Sequence, residues 1–349
     1  MTENESKIAS ELFERLKAVI DEVQILNVDD DNKSEQMIID GFVNVSTNEN
    51  QWRLLLEVKS KGEPRLVREA INYLKAKLPG NEGTLGIVGA PWLSPRSRDI
   101  CNQEGVGYID MAGNCRIVFD SVFIDRQGFE NPSVERRSLR NLFSSKSSRV
   151  IRVLLENPNK LWRMESLANQ AQVSLGTVAK VKERLLDLEY ARFSEDGILL
   201  SEPESLLKDW GKSYSLRRSK FANFFGMGDT RELEAKLIEY CNRQSIRYAL
   251  TLFSGADRIS PFMRYSRAFA YIDFDPNELA IGLDWEAVNK GMNISLIPIE
   301  DEMLLYDTSK IAGVWVVSNI QLYLDLVNYK GRGEEAADYL LENRIREQW

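Results

Sequence analysis

Leu167–Leu185 reads LANQAQVSLGTVAKVKERL, two short runs of helical periodicity broken by a turn. Leu167, Ala168 and Ala171 give the first run an inward face, and the small Ala168 lets a second helix cross closely. Val173 is the expected buried turn residue, and Ser174 is a natural N-cap for the second helix. On that helix Leu175, Val178, Val181 and Leu185 fall on one side. Thr177, Lys180 and Arg184 fall on the other, at spacings of three and four. Lys182 lies nearer the apolar side and is expected to lay its stem along it. The pattern is that of a helix-turn-helix, with a plain three-helix bundle as the bland alternative. Ser174, Thr177, Lys180 and Arg184 would then face a major groove of double-stranded DNA. There Lys and Arg meet guanine edges or phosphates, and Thr meets either.

Just downstream, Tyr190–Ser201 reads YARFSEDGILLS, two short apolar strands around an Asp196-Gly197 turn. That is the pattern of a wing, although its tip, Glu195-Asp196, is acidic and unsuited to gripping phosphate. The whole stretch resembles the broad winged-helix class of bacterial regulators, which implies DNA binding without specifying an operator.

Charge is distributed to match. The 349-residue chain has a formal net charge of −8, yet Arg136–Lys220 holds 17 Lys and Arg against 10 Asp and Glu. A basic middle between acidic flanks is an asymmetry that DNA-binding modules show, and one that a solvated basic face shows too. There is no histidine, which removes Ser-His-Asp and Cys-His catalysis and any His-ligated metal site. Cys101, Cys115 and Cys241 are scattered, so neither a disulfide framework nor a zinc ribbon is expected. No run of about 18 apolar residues is present and the polar N-terminus is unlike a signal peptide. A cytoplasmic protein without membrane attachment is expected.

The length suits two or three domains. Ahead of the basic middle, periodicity predicts a helix over 8–23, strands near 36–45 and 52–59, and a helix over 66–78. A strand at 84–88, a short helix over 94–104 and a hairpin over 107–124 come next. Behind it, a helix over 231–243 and strands at 248–253, 269–274, 294–299 and 313–317 precede closing helices near 320–327 and 333–344. The expected architecture is multidomain, α/β and α+β. It comprises an α/β domain over 1–132, a winged helix-turn-helix over 133–220 and a C-terminal α/β domain over 221–349.

In WRLLLEVKS, Glu57 and Lys59 alternate with apolar residues and so share one face of a strand. The preceding MIIDGFVNV brings Asp40 to a neighbouring position. An aspartate, then Glu-x-Lys on the next strand, resembles the PD-(D/E)xK nuclease site, and the order of elements resembles the restriction-endonuclease-like core. The resemblance implies Asp40, Glu57 and Lys59 as catalytic residues. Asp40 and Glu57 would hold Mg²⁺, and Lys59 would orient water or stabilise the phosphate. No Pro precedes Asp40, and Arg68 and Glu69 occupy the region where many members carry a Gln. The competing reading is a strand edge with a Glu57–Lys59 salt bridge. Asp110, in GYIDMAGN, is read as a turn residue rather than a further ligand.

Two C-terminal stretches, YALTLFSGADRISPFMRYSRAFAYIDF and VWVVSNIQLYLDLVNYKGRGEEAADYLLE, resemble the AbiEi-type antitoxin family of type IV toxin–antitoxin systems. The resemblance implies a transcriptional regulator that represses its own operon and counters a nucleotidyltransferase-like toxin protein. Arg258, Arg264 and Arg267 are candidates for binding phosphate or a partner's acidic surface, and ordinary surface charge is the equal alternative. Two functions remain open: an antitoxin-like regulator, and a Mg²⁺-dependent nuclease delivered to DNA by its winged helix.

Overall fold

The strand Gln51–Val58 (β3) alternates strictly: Leu54, Leu56 and Val58 point to one side, Leu55 and Glu57 to the other. Both sides are buried, so this strand must sit between two helical layers. A computed structural model, which describes residues 3–22, 27–29, 41–46, 50–77, 83–130, 142–214, 221–261 and 263–349, shows that arrangement. The chain divides into two compact units, Met1–Ser138 with Glu183–Glu189, and Leu139–Lys182 with Tyr190–Trp349.

The first unit is a seven-stranded sheet in sequential order: Asn27–Asp29 (β1), Gly41–Ser46 (β2), β3, Thr84–Ala90 (β4), Gly107–Asp110 (β5), Cys115–Phe119 (β6) and Val122–Arg126 (β7). The central strands β3, β4 and β5 run parallel, and the remaining pairs are antiparallel. Helix α1 (Glu3–Asp21) lays Leu12, Leu16 and Ile20 against Leu54, Leu56, Ile87 and Ile117 on one face. Helices α2 (Pro64–Lys77) and α3 (Pro95–Gln103) bring Val67, Ile71, Leu74 and Ile100 to Leu55, Val88 and Tyr108 on the other. Each such leucine or isoleucine contributes roughly 1.5–3 kcal/mol by leaving water.

The second unit begins with helices α4 (Ser145–Glu156), α5 (Met164–Gln170) and α6 (Leu175–Asp187), the last ending among residues grouped with the first unit. A hairpin, Ala191–Ser194 (β8) with Gly197–Leu200 (β9), comes after them. Trp162 bridges to Ile198 through a pair of 2.9 Å backbone hydrogen bonds and extends the hairpin by a third short strand. Ser194 pairs with Gly197, so the turn residues are Glu195-Asp196, one position earlier than the sequence suggests.

Helix α7 (Pro203–Ser213) leads into a second seven-stranded sheet. Its strands are Ala222–Phe225 (β10), Tyr248–Leu250 (β11), Ala268–Ile272 (β12), Glu286–Ala287 (β13), Ile294–Pro298 (β14), Ser309–Ile311 (β15) and Val314–Val316 (β16), in the order β13-β10-β14-β12-β11-β16-β15. Helices α8 (Thr230–Gln244) and α10 (Pro276–Gly282) supply Leu233, Leu237, Cys241 and Leu279 to the core on one face. Helix α9 (Leu252–Ile259) and the closing helices α11 (Asn319–Val327) and α12 (Gly333–Leu340) complete the unit.

One sequence expectation is corrected here. The strand expected over 248–253 stops at Leu250, because Thr251 starts α9 and its hydroxyl is committed to Asp325. Leu252 takes a left-handed backbone (φ 48°) at this turn. Polar contacts within the second unit cross the expected boundary near residue 220. Asp325, fully buried, accepts hydrogen bonds from the Thr251 hydroxyl (2.6 Å), the Gln321 amide (2.7 Å), the Tyr214 hydroxyl (3.0 Å) and the Tyr271 hydroxyl (3.1 Å). Arg149 on α4 holds Asp301 through two bonds of 2.9 and 3.2 Å.

Burial pushes the Asp325 carboxyl up from its ordinary 3.8 to about 6, against the pull of its four donors. The folded chain thus holds this proton more tightly than the unfolded chain. The corresponding stability is present below pH 3.8 and is lost as pH rises through 6, by roughly 3 kcal/mol. Thermal melts of wild type and Asp325→Asn should show the variant gaining on wild type between pH 4 and pH 7. A difference that does not change with pH would contradict this. Separately, a Cβ at Gly197 (φ 146°) would lie 2.3 Å from the Trp162 carbonyl oxygen. Gly197→Ala should therefore break the Trp162–Ile198 pairing and cost more than about 1 kcal/mol, read by denaturant unfolding.

Candidate nucleic-acid interface

The α5–turn–α6 segment is built from the pattern that nominated it. Leu167, Ala168, Ala171, Val178, Val181 and Leu185 are buried, so they fix the crossing of the two helices. The Ser174 hydroxyl accepts the Thr177 amide at 3.2 Å, which makes Ser174 the N-cap and Leu175 the first residue of α6. The Ser174 and Thr177 hydroxyls lie 3.0 Å apart and satisfy each other. Val173, expected to be buried, is half-buried.

The outward face of α6 is rotated from the one expected. Leu175 is 49 % exposed rather than part of the apolar side, which Val178, Val181 and Leu185 form. The exposed positions are Leu175, Gly176, Lys180 and Glu183, while Thr177 and Ala179 are half-buried. Arg184 is not a free outer-face cation. It is 18 % exposed and ion-paired with Glu63, a residue of the first unit, with which residues 183–189 are grouped. Lys182 places its ammonium 4.2 Å from the centre of the Phe193 ring on β8, consistent with a stem laid along apolar surface.

In front of the α6 N-terminus lies a cleft of about 590 Å³ whose walls include Lys146, Arg149, Ser174, Thr177, Glu300 and Asp301. Asp301 neutralises Arg149 there, which leaves Lys146 as the exposed cation of these walls, while Lys180 is exposed on α6 outside them.

The C-terminal arginines do not share one environment. Arg258 is bound to the fully buried Glu234 at 3.0 Å, and Glu234 also accepts the Tyr265 hydroxyl at 2.8 Å. Arg267 lies half-buried, 5.8 Å from the Phe269 ring centre. Arg264 is exposed and lines a cleft with Thr230, Arg231 and Asp257. Sequence reasoning missed the Asp325 cluster altogether. Its only trace was the polar Gln321 and Asp325, spaced four apart in the otherwise apolar QLYLDL.

In the first unit Glu57, buried at the end of β3, meets the Lys59 ammonium at 3.0 Å. The two side chains therefore share a face, as alternation requires. Asp40 lies outside the described residues. Asp110 is a turn residue: its carboxylate accepts the amides of Leu93, Gly113 and Asn114 and the Asn114 side chain. Among the described residues no group of three or more Cys, Asp or Glu side chains is placed to hold a metal. Glu57 and Lys59 alone do not form a Mg²⁺ site. Among the described residues no helix is long and apolar enough to cross a membrane.

No curated protein matches the chain. Two solved structures are similar over parts of it. One is a repair endonuclease from Pyrococcus abyssi (23% identity, TM-score 0.23, 32% of this chain and 48% of that chain). The other is EndoMS in apo form (18% identity, TM-score 0.20, 29% of this chain and 45% of that chain). The chain thus spans somewhat under half the length of either. Residues 199–346, from β9 through the closing helices, match the family described as transcriptional regulator, AbiEi antitoxin, of type IV toxin–antitoxin systems.

Proposed function

We propose that the chain is a DNA-binding transcriptional regulator of the AbiEi antitoxin kind, acting in the cytoplasm, which represses its own operon and counters a nucleotidyltransferase-like toxin. The observation that carries the reading is the capped α6. Its buried side is fully used by the core, while Lys180 stands on an exposed face ahead of the β8–β9 hairpin. This order of elements is that of a winged helix, in which the second helix of the turn enters the major groove. The AbiEi family match immediately downstream supports the same reading.

Lys180 is assigned to a guanine edge or a phosphate. Ser174 and Thr177, at the amide-rich start of α6, are assigned to the DNA backbone, which the positive end of a helix favours. Arg184, already paired with Glu63, is left out of the contact set. Of Arg258, Arg264 and Arg267, Arg264 is the exposed one, and it is assigned to the acidic surface of the toxin.

Lys180→Ala in the full chain should weaken operator binding about 5- to 100-fold, the equivalent of about 1–3 kcal/mol for one base contact. The same change should derepress a reporter driven by the chain's own promoter. A mobility-shift titration at fixed salt that gives equal affinities for variant and wild type would overturn the assignment. Mg²⁺-dependent DNA cleavage, lost in both Glu57→Ala and Lys59→Ala, would instead place the function in the first unit.

A further inference from the structure

Leu175 is an exposed apolar residue in a specific place. It is the first residue of α6, directly after the Ser174 cap, and half of its surface stands in solvent. The next residue is Gly176, where an added Cβ would find only the Ser174 hydroxyl, at 4.0 Å. The same exposed face continues with the half-buried Ala179, then Lys180 and Glu183. Small residues at 176 and 179 let a surface approach the helix backbone closely and leave Leu175 projecting beside it. Of the other exposed apolar side chains of this module, Phe193 lies on β8 under the Lys182 ammonium and Leu161 lies ahead of α5, so Leu175 is the one that α6 itself carries.

A major groove offers mainly hydrogen-bonding edges, and its distinctive apolar feature is the C5-methyl of thymine. Recognition helices meet base edges with their N-terminal residues. We propose that Leu175 is a specificity-determining residue that packs on a thymine C5-methyl, with Lys180 and Glu183 on the same face taking a guanine acceptor and a cytosine amino donor. This rests on the DNA-binding reading above and deepens it by naming the base that the helix start selects.

The test uses the full chain and a duplex enriched by it from a random pool. Each thymine of that duplex is replaced in turn by deoxyuridine, which removes the methyl and leaves base pairing intact. One position should weaken wild-type binding about 3- to 10-fold. Leu175→Ala should bind the thymine and deoxyuridine duplexes equally at that position, while Lys180→Ala keeps the discrimination. Because Leu175 lies outside the core, its variant should melt with the wild type, and Leu175→Gln provides a second, polar replacement. A duplex that binds tightly but tolerates deoxyuridine everywhere sinks the Leu175 assignment and leaves DNA binding standing. Undiminished discrimination in Leu175→Ala, or a loss far beyond tenfold on both duplexes, also overturns it. Failure to enrich any duplex sinks both readings.

Discussion

Asp325 is a carboxylate with no access to water, and its surroundings are arranged around that fact. A buried ionisable group is tolerated only when its lone pairs are met. Here the donors come from four places: Thr251 at the start of α9, Tyr214 just beyond α7, Tyr271 on β12 and Gln321 one turn earlier on α11. Satisfying one side chain therefore fixes the helix after the hairpin, the central strand of the second sheet and the helix that covers it. Removing any one donor leaves a charge half-solvated in a low-dielectric interior. The segment after the hairpin is thereby bound to the C-terminal sheet as one cooperative body.

The elements whose hydrophobic periodicity spoke to a single neighbour were legible in the sequence. Apolar residues at helical spacing gave α1, and the alternation around Glu57 and Lys59 gave the strand β3. Val178, Val181 and Leu185 gave the crossing of α5 with α6. The features that escaped depended on long-range polar partners. Thr251 reads as the middle of a strand until Asp325, 74 residues away, claims its hydroxyl. Leu175 reads as core because it is apolar and in phase, yet at the start of α6 half of its surface stands in solvent. Arg184 reads as a free cation because Glu63, 121 residues earlier, is invisible to local spacing. The bonds of Tyr214 with Asp325 and of Arg149 with Asp301, which cross the expected boundary near residue 220, are equally invisible to local spacing.

The hairpin shows how one backbone position can carry a local fold. Gly197 lies against the carbonyl of Trp162, and that closeness permits the pair of hydrogen bonds between Trp162 and Ile198. Those bonds satisfy peptide groups that the loop between α4 and α5 would otherwise leave buried and unpaired. The Asp-Gly pair was recognised in the sequence as a turn, but the glycine serves close approach and the turn itself falls one residue earlier. The acidic tip is thus free of any packing duty.

On α6, one set of residues holds the helix in place and a separate set faces outward. Val178, Val181 and Leu185 can stay constant while Leu175, Gly176, Ala179, Lys180 and Glu183 change without opening a cavity. Such a helix can drift in the site it recognises at little cost in folding, whereas the Asp325 cluster cannot drift at all. Over a lineage, the address read by α6 and the body that carries it are free to diverge at different speeds. Related chains would then share the interior of the C-terminal body while each answers to its own site.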